Sequence, residues 1–247
     1  MKRVSKSGHD KNVSNYQEIL SFCIGNGAKY NPSNPDIMIV NMKVLEVDSL
    51  NALDGETAAE AHEKHVYLER KEAFRPIEDL CRDVVNFLGA SGGSKEKLHQ
   101  GKIILNRLRG SNKKNNKEDA KDESTVQEKQ ATMTFHSTYD ERLEALDEII
   151  QLVMTEEKYK PNEFELSVEG LKVKLVTLKE KNYEMKQAIV QVSNSRIQRD
   201  KVLYLSKTNA HQVVLEVKQY VKAIFGPSSA EYKQIKSIPF RKIPTTI

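Results

Sequence analysis

Tryptophan is absent from this chain, aromatic residues make up only 6% of it, and cysteine occurs twice in 247 residues. A chain so poor in aromatics, with 38% hydrophobic and 30% charged residues, suits elongated helices with much exposed surface better than a compact enzyme with a deep core. Cys23 and Cys81 form no CxxC pair and no metal-ligand spacing; two lone thiols suit a reducing cytoplasm, where they act as small apolar residues. Neither sign of charge dominates, since 39 Lys and Arg face 35 Asp and Glu for a net charge of +4. That balance argues against the concentrated basic face of a nucleic-acid-binding protein. The longest apolar run, around Ile37 to Val40, falls far short of a membrane span. Met1 to Asn15 is rich in Lys, Ser and Asn and has no apolar core, so no secretory signal is expected. The phosphate-cradling motif G-x-x-x-x-G-K-[ST], the dinucleotide motif G-x-G-x-x-G and the nucleophile motif G-x-S-x-G are also missing. These absences point away from an enzyme, and no cofactor and no metal are expected.

The clearest positive signal runs from Phe164 to Tyr204. Leu171, Leu175, Leu178, Asn182, Met185, Ile189 and Val192 step by fours and threes, which aligns them on one stripe of an α-helix. Arg196, Arg199 and Leu203 continue the register. The stretch holds no proline and one glycine, Gly170, so a single helix of about 60 Å is expected.

The rest of the chain divides around this helix. Residues 1–13 are polar and read as disordered, and Ser14 to Gln17 has the S-x-x-Q form of a capping box. A first helical unit spans 14–110: a short helix with Ile19, Leu20, Cys23 and Ile24, a Tyr30-Asn31-Pro32 turn, and a long helix from near Asp36. The long helix carries Ile39, Met42, Leu45, Leu50, Leu53, Ala58, Ala61, His65 and Leu68, with Gly55 inside it as a potential kink. A third helix, Ile77 to Leu88, follows Pro76, and Lys97 to Arg109 reads as a short helix or strand. Residues 111–131 balance five lysines against five acids with Val126 almost the sole apolar residue, the composition of a solvated, disordered linker. A second helical unit with a C-terminal tail spans 132–247. It opens on the capping box Thr138 to Glu141 and the stripe Leu143, Leu146, Ile149, Ile150 and Val153, and closes on a helix through Val214, Val217, Val221 and Ile224 to Gly226.

The two units match in order. At an offset of 129, Tyr30-Asn31-Pro32 meets Tyr159-Lys160-Pro161, Ile39 meets Val168, Met42 meets Leu171, Val44 meets Val173 and Arg70 meets Arg199. The expected fold is therefore all-α: two tandem three-helix bundle-like units from an internal duplication, joined by a disordered linker. The stretch Val221-Lys222-Ala223-Ile224-Phe225-Gly226, then Ser228 to Ile235, together with the turn Tyr159 to Glu163, resembles a group of helical proteins from Bacteroidetes of uncharacterised activity. The resemblance covers mainly residues 140–240. It implies the helical fold and carries no activity, cofactor or site residue.

Two constellations remain. His62 and His65 share a helical face, but a closed metal site needs further ligands that the spacing does not supply. Arg196 and Arg199 take stripe positions where leucine belongs. Each calls for a carboxylate such as Glu180 or Asp200 or one from another helix, or snorkels across the stripe's edge; as a functional pair they form an anion or partner contact. The functional expectation is a non-catalytic helical structural or interaction protein, cytoplasmic, with a protein partner or self-association and no membrane. The alternative is a nucleic-acid or anion-binding protein using Lys and Arg near the long-helix end and the tail residues Lys233, Lys236, Arg241 and Lys242.

Overall fold

Helical periodicity governs the described residues. The computed structural model describes residues 7–109 and 138–244, and among these residues there are helices and turns but no strand. In chain order the helices are α1 (Ser7–Gly25), α2 (Ile39–Phe74), α3 (Ile77–Ala90), α4 (Lys95–Leu108), α5 (Tyr139–Met154), α6 (Val168–Asp200), α7 (Ala210–Phe225) and α8 (Ala230–Ser237). Short 3-10 turns at Pro35–Ile37 and Phe164–Leu166 lead into the two long helices, and a π-helical turn, Lys201–Leu205, ends the second. The all-α class expected from the sequence holds. The linker at 111–131 lies outside the described residues, as do residues 1–6.

Most element boundaries follow from local chemistry. Thr138 caps α5 with the reciprocal bonds of a capping box: Glu141 N–H donates to Thr138 Oγ1 and Thr138 N–H to the Glu141 carboxylate. Leu143, Leu146, Ile149, Ile150 and Val153 of α5 are all buried, and each contributes about 1.5–3 kcal/mol of transfer free energy as an upper bound. Gly226 ends α7 at φ +89°, a conformation that side-chain-bearing residues rarely adopt. Lys97 to Arg109, read as helix or strand, belongs to a helix; its buried Gly101 leaves room for Val85 of α3, whose Cγ2 lies 3.0 Å from where a Cβ would stand.

Two helix starts and one expected kink differ from expectation. Helix α1 begins at Ser7, so residues 7–13 are helical and the S-x-x-Q sequence at Ser14 is interior. Polar composition misleads there because His9 and Asn12 lie on the buried face and find partners roughly 190 residues away in sequence. Helix α2 begins at Ile39, not Asp36, because Asn34 accepts from Asp36 N–H and holds a 3-10 turn first. Gly55 does not interrupt α2.

The helices form two compact units, each with its own core. The first comprises Met1–Lys64 and Ala188–Ile247, the second His65–Gln187. In the first, α1 and the Pro35–Ile37 turn pack on α7, which also carries α8; Tyr16, Ile19, Met42, Leu203, Val217 and Ile235 are at its centre. In the second, α5 and the Phe164–Leu166 turn pack on α3, and α4 packs on both α3 and α5; Phe74, Ile77, Leu88, Leu146, Ile149 and Leu171 are at its centre. The units are thus drawn differently from the sequence spans 14–110 and 132–247. In each, the first helix of one span covers the third helix of the other, and α2 and α6 contribute residues to both units.

The offset of 129 is visible in detail. The 3-10 turns and the starts of α2 and α6 obey it. Tyr30 Oη donates to the Ile37 carbonyl at 2.8 Å, and Tyr159 Oη to the Leu166 carbonyl at 2.7 Å. Each ring meets an aromatic partner edge-on, Tyr220 at 5.2 Å and Phe87 at 5.3 Å between centroids.

Candidate functional site

The stripe arginines come from the end of α6, where leucine spacing delivers a charged side chain to the core of the first unit. Arg199 is 4% exposed and its acceptors are equally buried: Glu56 at 2% and Asp200 at 1%. Its Nη1 donates to both Glu56 oxygens at 2.8 and 2.7 Å, while Nε and Nη2 donate to Asp200 Oδ1 at 2.9 and 2.7 Å. Arg196 lies at the edge of the same cluster, half-exposed, donating to Glu60 at 2.9 Å and Glu56 at 3.3 Å. A guanidinium so engaged satisfies the requirement that buried charge be paired and hydrogen-bonded. Its place is accounted for by Glu56 of α2 and by its own neighbour Asp200.

The π-helical turn adjoins this cluster. Its wide ring, closed by Ser206 N–H to the Lys201 carbonyl at 2.9 Å, buries the consecutive side chains Leu203 and Tyr204. Asn12 donates to Tyr204 Oη at 3.0 Å, and His9 Nδ1 shares a hydrogen bond with the same hydroxyl at 2.9 Å. Burial holds the His9 pKa below its ordinary value, and Arg199 reinforces the shift against the opposing charges of Asp200, Glu56 and Asp10. Asn12 also grips the tail, donating to the Arg241 carbonyl at 2.7 Å and accepting from Arg241 N–H at 3.2 Å. Phe240 of the tail meets the rings of Tyr204 and His211. Lys233 and Lys236 lie on α8, the Arg241 backbone is held by Asn12, and Lys242 is close enough to His211 to help lower its pKa.

The second unit has a counterpart. Arg70, the offset equivalent of Arg199, donates to Asn182 Oδ1 at 3.1 Å and stacks 4.0 Å above the Tyr139 ring, while Asn182 donates to Asp140 at 2.7 Å. Asn182, singled out as a polar stripe residue, is 4% exposed and joins the long helices inside this unit. Arg70 Nε is buried without a hydrogen-bond partner.

Elsewhere the chemistry is sparse. His65 pairs with Glu69 at 3.0 Å, and among the described residues no group of three His, Cys, Asp or Glu is placed to hold a metal. Cys23 and Cys81 are free and buried. An open depression of 460 Å³ in the first unit is lined by Glu18, Phe22, Asn26, Glu231, Gln234 and Ile238 among others, and no histidine, cysteine or lysine joins them. Among the described residues no helix is long and apolar enough to cross a membrane.

What sequence reading missed is on the outside. Leu50 and Leu68, expected in the α2 stripe, are exposed, and so is Ile189 of α6. The buried stripe of α2 runs instead through Met42, Ser49, Ala52, Glu56, Ala59 and Val66. At 100° per residue, Val40, Val44 and Val47 point the opposite way from Met42 and Ser49, and they are 65%, 57% and 54% exposed. On α6, Val173 and Val176, each 55% exposed, and Tyr183 lie opposite Leu171 and Leu178 in the same manner. Val44 with Val173, and Val47 with Val176, obey the offset of 129. Compared with known protein families, curated proteins and solved structures, the chain matches none.

Proposed function

We propose that this chain is a non-catalytic interaction protein, built from a duplicated helical unit, that works through the outward apolar stripes of its two long helices. The observation that carries this reading is the outward valines of the two long helices, where Val44 with Val173 and Val47 with Val176 hold equivalent positions and Val40 meets Glu169. Scattered exposed apolar residues are ordinary, whereas β-branched residues at three- and four-residue steps, opposite an already buried face, form the seam a further helix packs into. The buried polar residues lend themselves to the same reading: Glu56, Arg199, Asp200 and Asn182 are bonded to one another or to neighbouring side chains, an arrangement that fixes helix register. Two buried thiols and the lack of a membrane-spanning helix among the described residues fit a site of action in the reducing cytoplasm.

The test is site-specific photo-crosslinking in the producing cell, with the reactive side chain replacing Val44 or Val176 and, as control, the exposed Lys102 of α4. Discrete polypeptide adducts at the two stripe positions and none at the control support the proposal. No adduct at either stripe position overturns it.

A further inference from the structure

Residues 239–244 form neither helix nor turn, yet side chains of the first unit hold them in place. Ile238, at φ −74° and ψ 111°, turns the chain from α8 into extended backbone, and prolines after Ile238 and Ile243 favour the same conformation. The backbone is gripped by α1 and α7. Asn12 donates to the Arg241 carbonyl at 2.7 Å and accepts from Arg241 N–H at 3.2 Å, Asn15 donates to the Pro239 carbonyl, and Lys218 donates to the Ile238 carbonyl. The apolar side chains turn inward: Ile238 is buried, and Phe240 meets the rings of Tyr204 and His211. Ile243 lies against Gly8, its Cδ1 2.8 Å from where a Cβ would stand. Pro239, Arg241, Lys242 and Pro244 are exposed. Bonds to the backbone for affinity, with spaced apolar side chains for specificity, are how a groove takes an extended peptide.

We infer that this face of α1 and α7, with Tyr204, is a docking groove for an extended segment of a partner protein, filled here by the chain's own tail. It is separate from the valine stripes. The partner segment has the tail's chemistry: an aliphatic residue before proline, an aromatic residue after it and an aliphatic residue three positions farther on. Two observations make the tail a displaceable ligand and not part of the core. Among the described residues, no backbone-to-backbone hydrogen bond ties 239–244 to a helix. The floor under the tail is also polar: Asn12, Asn15, His211 and Lys218 offer amides, an imidazole and an ammonium that water can solvate once the tail leaves. A second copy is the poorer donor. Its α8 packs on its own α7, and Ile235 and Ile238 are both buried, so its tail has no slack with which to reach another groove.

The probe is a fluorescent peptide of residues 237–244, Ser-Ile-Pro-Phe-Arg-Lys-Ile-Pro, added to the full chain and followed by anisotropy. In wild type the tethered tail competes at high effective concentration, so the peptide should bind weakly. In the full chain carrying Phe240→Ser and Ile243→Ser the tail loses two anchors, and the peptide should bind about tenfold tighter or more. Asn15→Leu added to this loosened chain should remove most of that gain, and a peptide carrying the same two serines should not bind. Phe240 and Ile243 are only half-buried, so the loosened chain should keep a cooperative melt. Loss of that melt would make the tail part of the core and overturn the inference. So would a loosened chain that binds the peptide no tighter than wild type, or binding that survives Asn15→Leu or the serines in the peptide. Sedimentation of wild type mixed with the loosened chain distinguishes the source. Masses unchanged from those of each chain alone support a partner protein; a complex formed only in the mixture would give the groove to a second copy and overturn the partner assignment.

Discussion

Removing Arg199 should unsettle the first unit more than any other single charge change, because it strands two carboxylates at once. Glu56 would lose both of its bonds from Nη1 and keep only the 3.3 Å approach of the half-exposed Arg196. Asp200 would lose both guanidinium bonds, at 2.9 and 2.7 Å. Breaking a buried pair from one side costs about 3–5 kcal/mol, most of it the penalty of the charge left behind. For a chain of this length that corresponds to a fall in Tm of about 6–20 °C. The assay is denaturant unfolding of wild type, Arg199→Met, and Arg199→Met combined with Glu56→Gln and Asp200→Asn. The triple variant removes the stranded charges along with the arginine and should recover at least half of the loss, since uncharged amides are far less costly to bury than unpaired carboxylates. A loss under about 1 kcal/mol for Arg199→Met would refute the argument, because the cluster would then be acting as an exposed ion pair. Equal losses in the single and triple variants would refute it differently: the arginine's packing, and not its charge, would be what matters.

Other consequences are narrower. Burial pushes both the Cys23 and Cys81 thiols up to about 12, so neither should react with a thiol reagent at pH 8 in the native protein and both should react in denaturant; rapid native labelling of either would contradict the packing. His9 is held below its ordinary value of 6.5 by burial, so the unfolded chain takes up the proton first and the stability contribution present above pH 6.5 is lost as pH falls below it. Thermal melts at about pH 7.5 and 5.5 should therefore diverge less for His9→Gln than for wild type, and less again with His211→Gln, whose ring is lowered by burial and by Lys242; an unchanged divergence would rule the histidines out as its source. Tyr30→Phe and Tyr159→Phe each delete one hydroxyl-to-carbonyl bond in equivalent turns and should each cost about 1 kcal/mol by denaturant titration. A cost in one turn and none in the other would break the equivalence.

How much of this was legible beforehand depends on how far each signal reaches along the chain. Local signals were read well: the Thr138 capping box, the Gly226 stop, the α5 stripe and most of the α6 stripe depend on neighbours within a few residues. The start of α1 was hidden because His9 and Asn12 look like surface residues until Tyr204 and Arg241 are placed beside them. The grouping of helices was hidden for the same reason. The Tyr-x-Pro turns and the offset of 129 mark equivalent pieces, but periodicity says only that each piece has an apolar face, not whose face covers it.

The same limit explains the candidate site. Spacing picked out Arg196 and Arg199 as out of place in a leucine register, and it asked for carboxylates; one, Asp200, was adjacent, while Glu56 and Glu60 lie some 140 residues away. The α2 stripe was misread because larger side chains outweighed position: Leu50 and Leu68 drew the register toward themselves, although Ser49 and Glu56 occupy the buried steps. A search for one apolar face per helix has nowhere to put Val40, Val44 and Val47. Allowing two faces does: the buried steps through Met42, Ala52 and Ala59 and the outward steps through the valines are each regular, and they differ by half a turn. Two of the three, Val44 and Val47, meet Val173 and Val176 of α6 129 residues on, and Val40 meets Glu169. An apolar residue on the outside of a helix requires no cause by itself, and it is the recurrence of the same two positions on both long helices that the proposed interaction rests on.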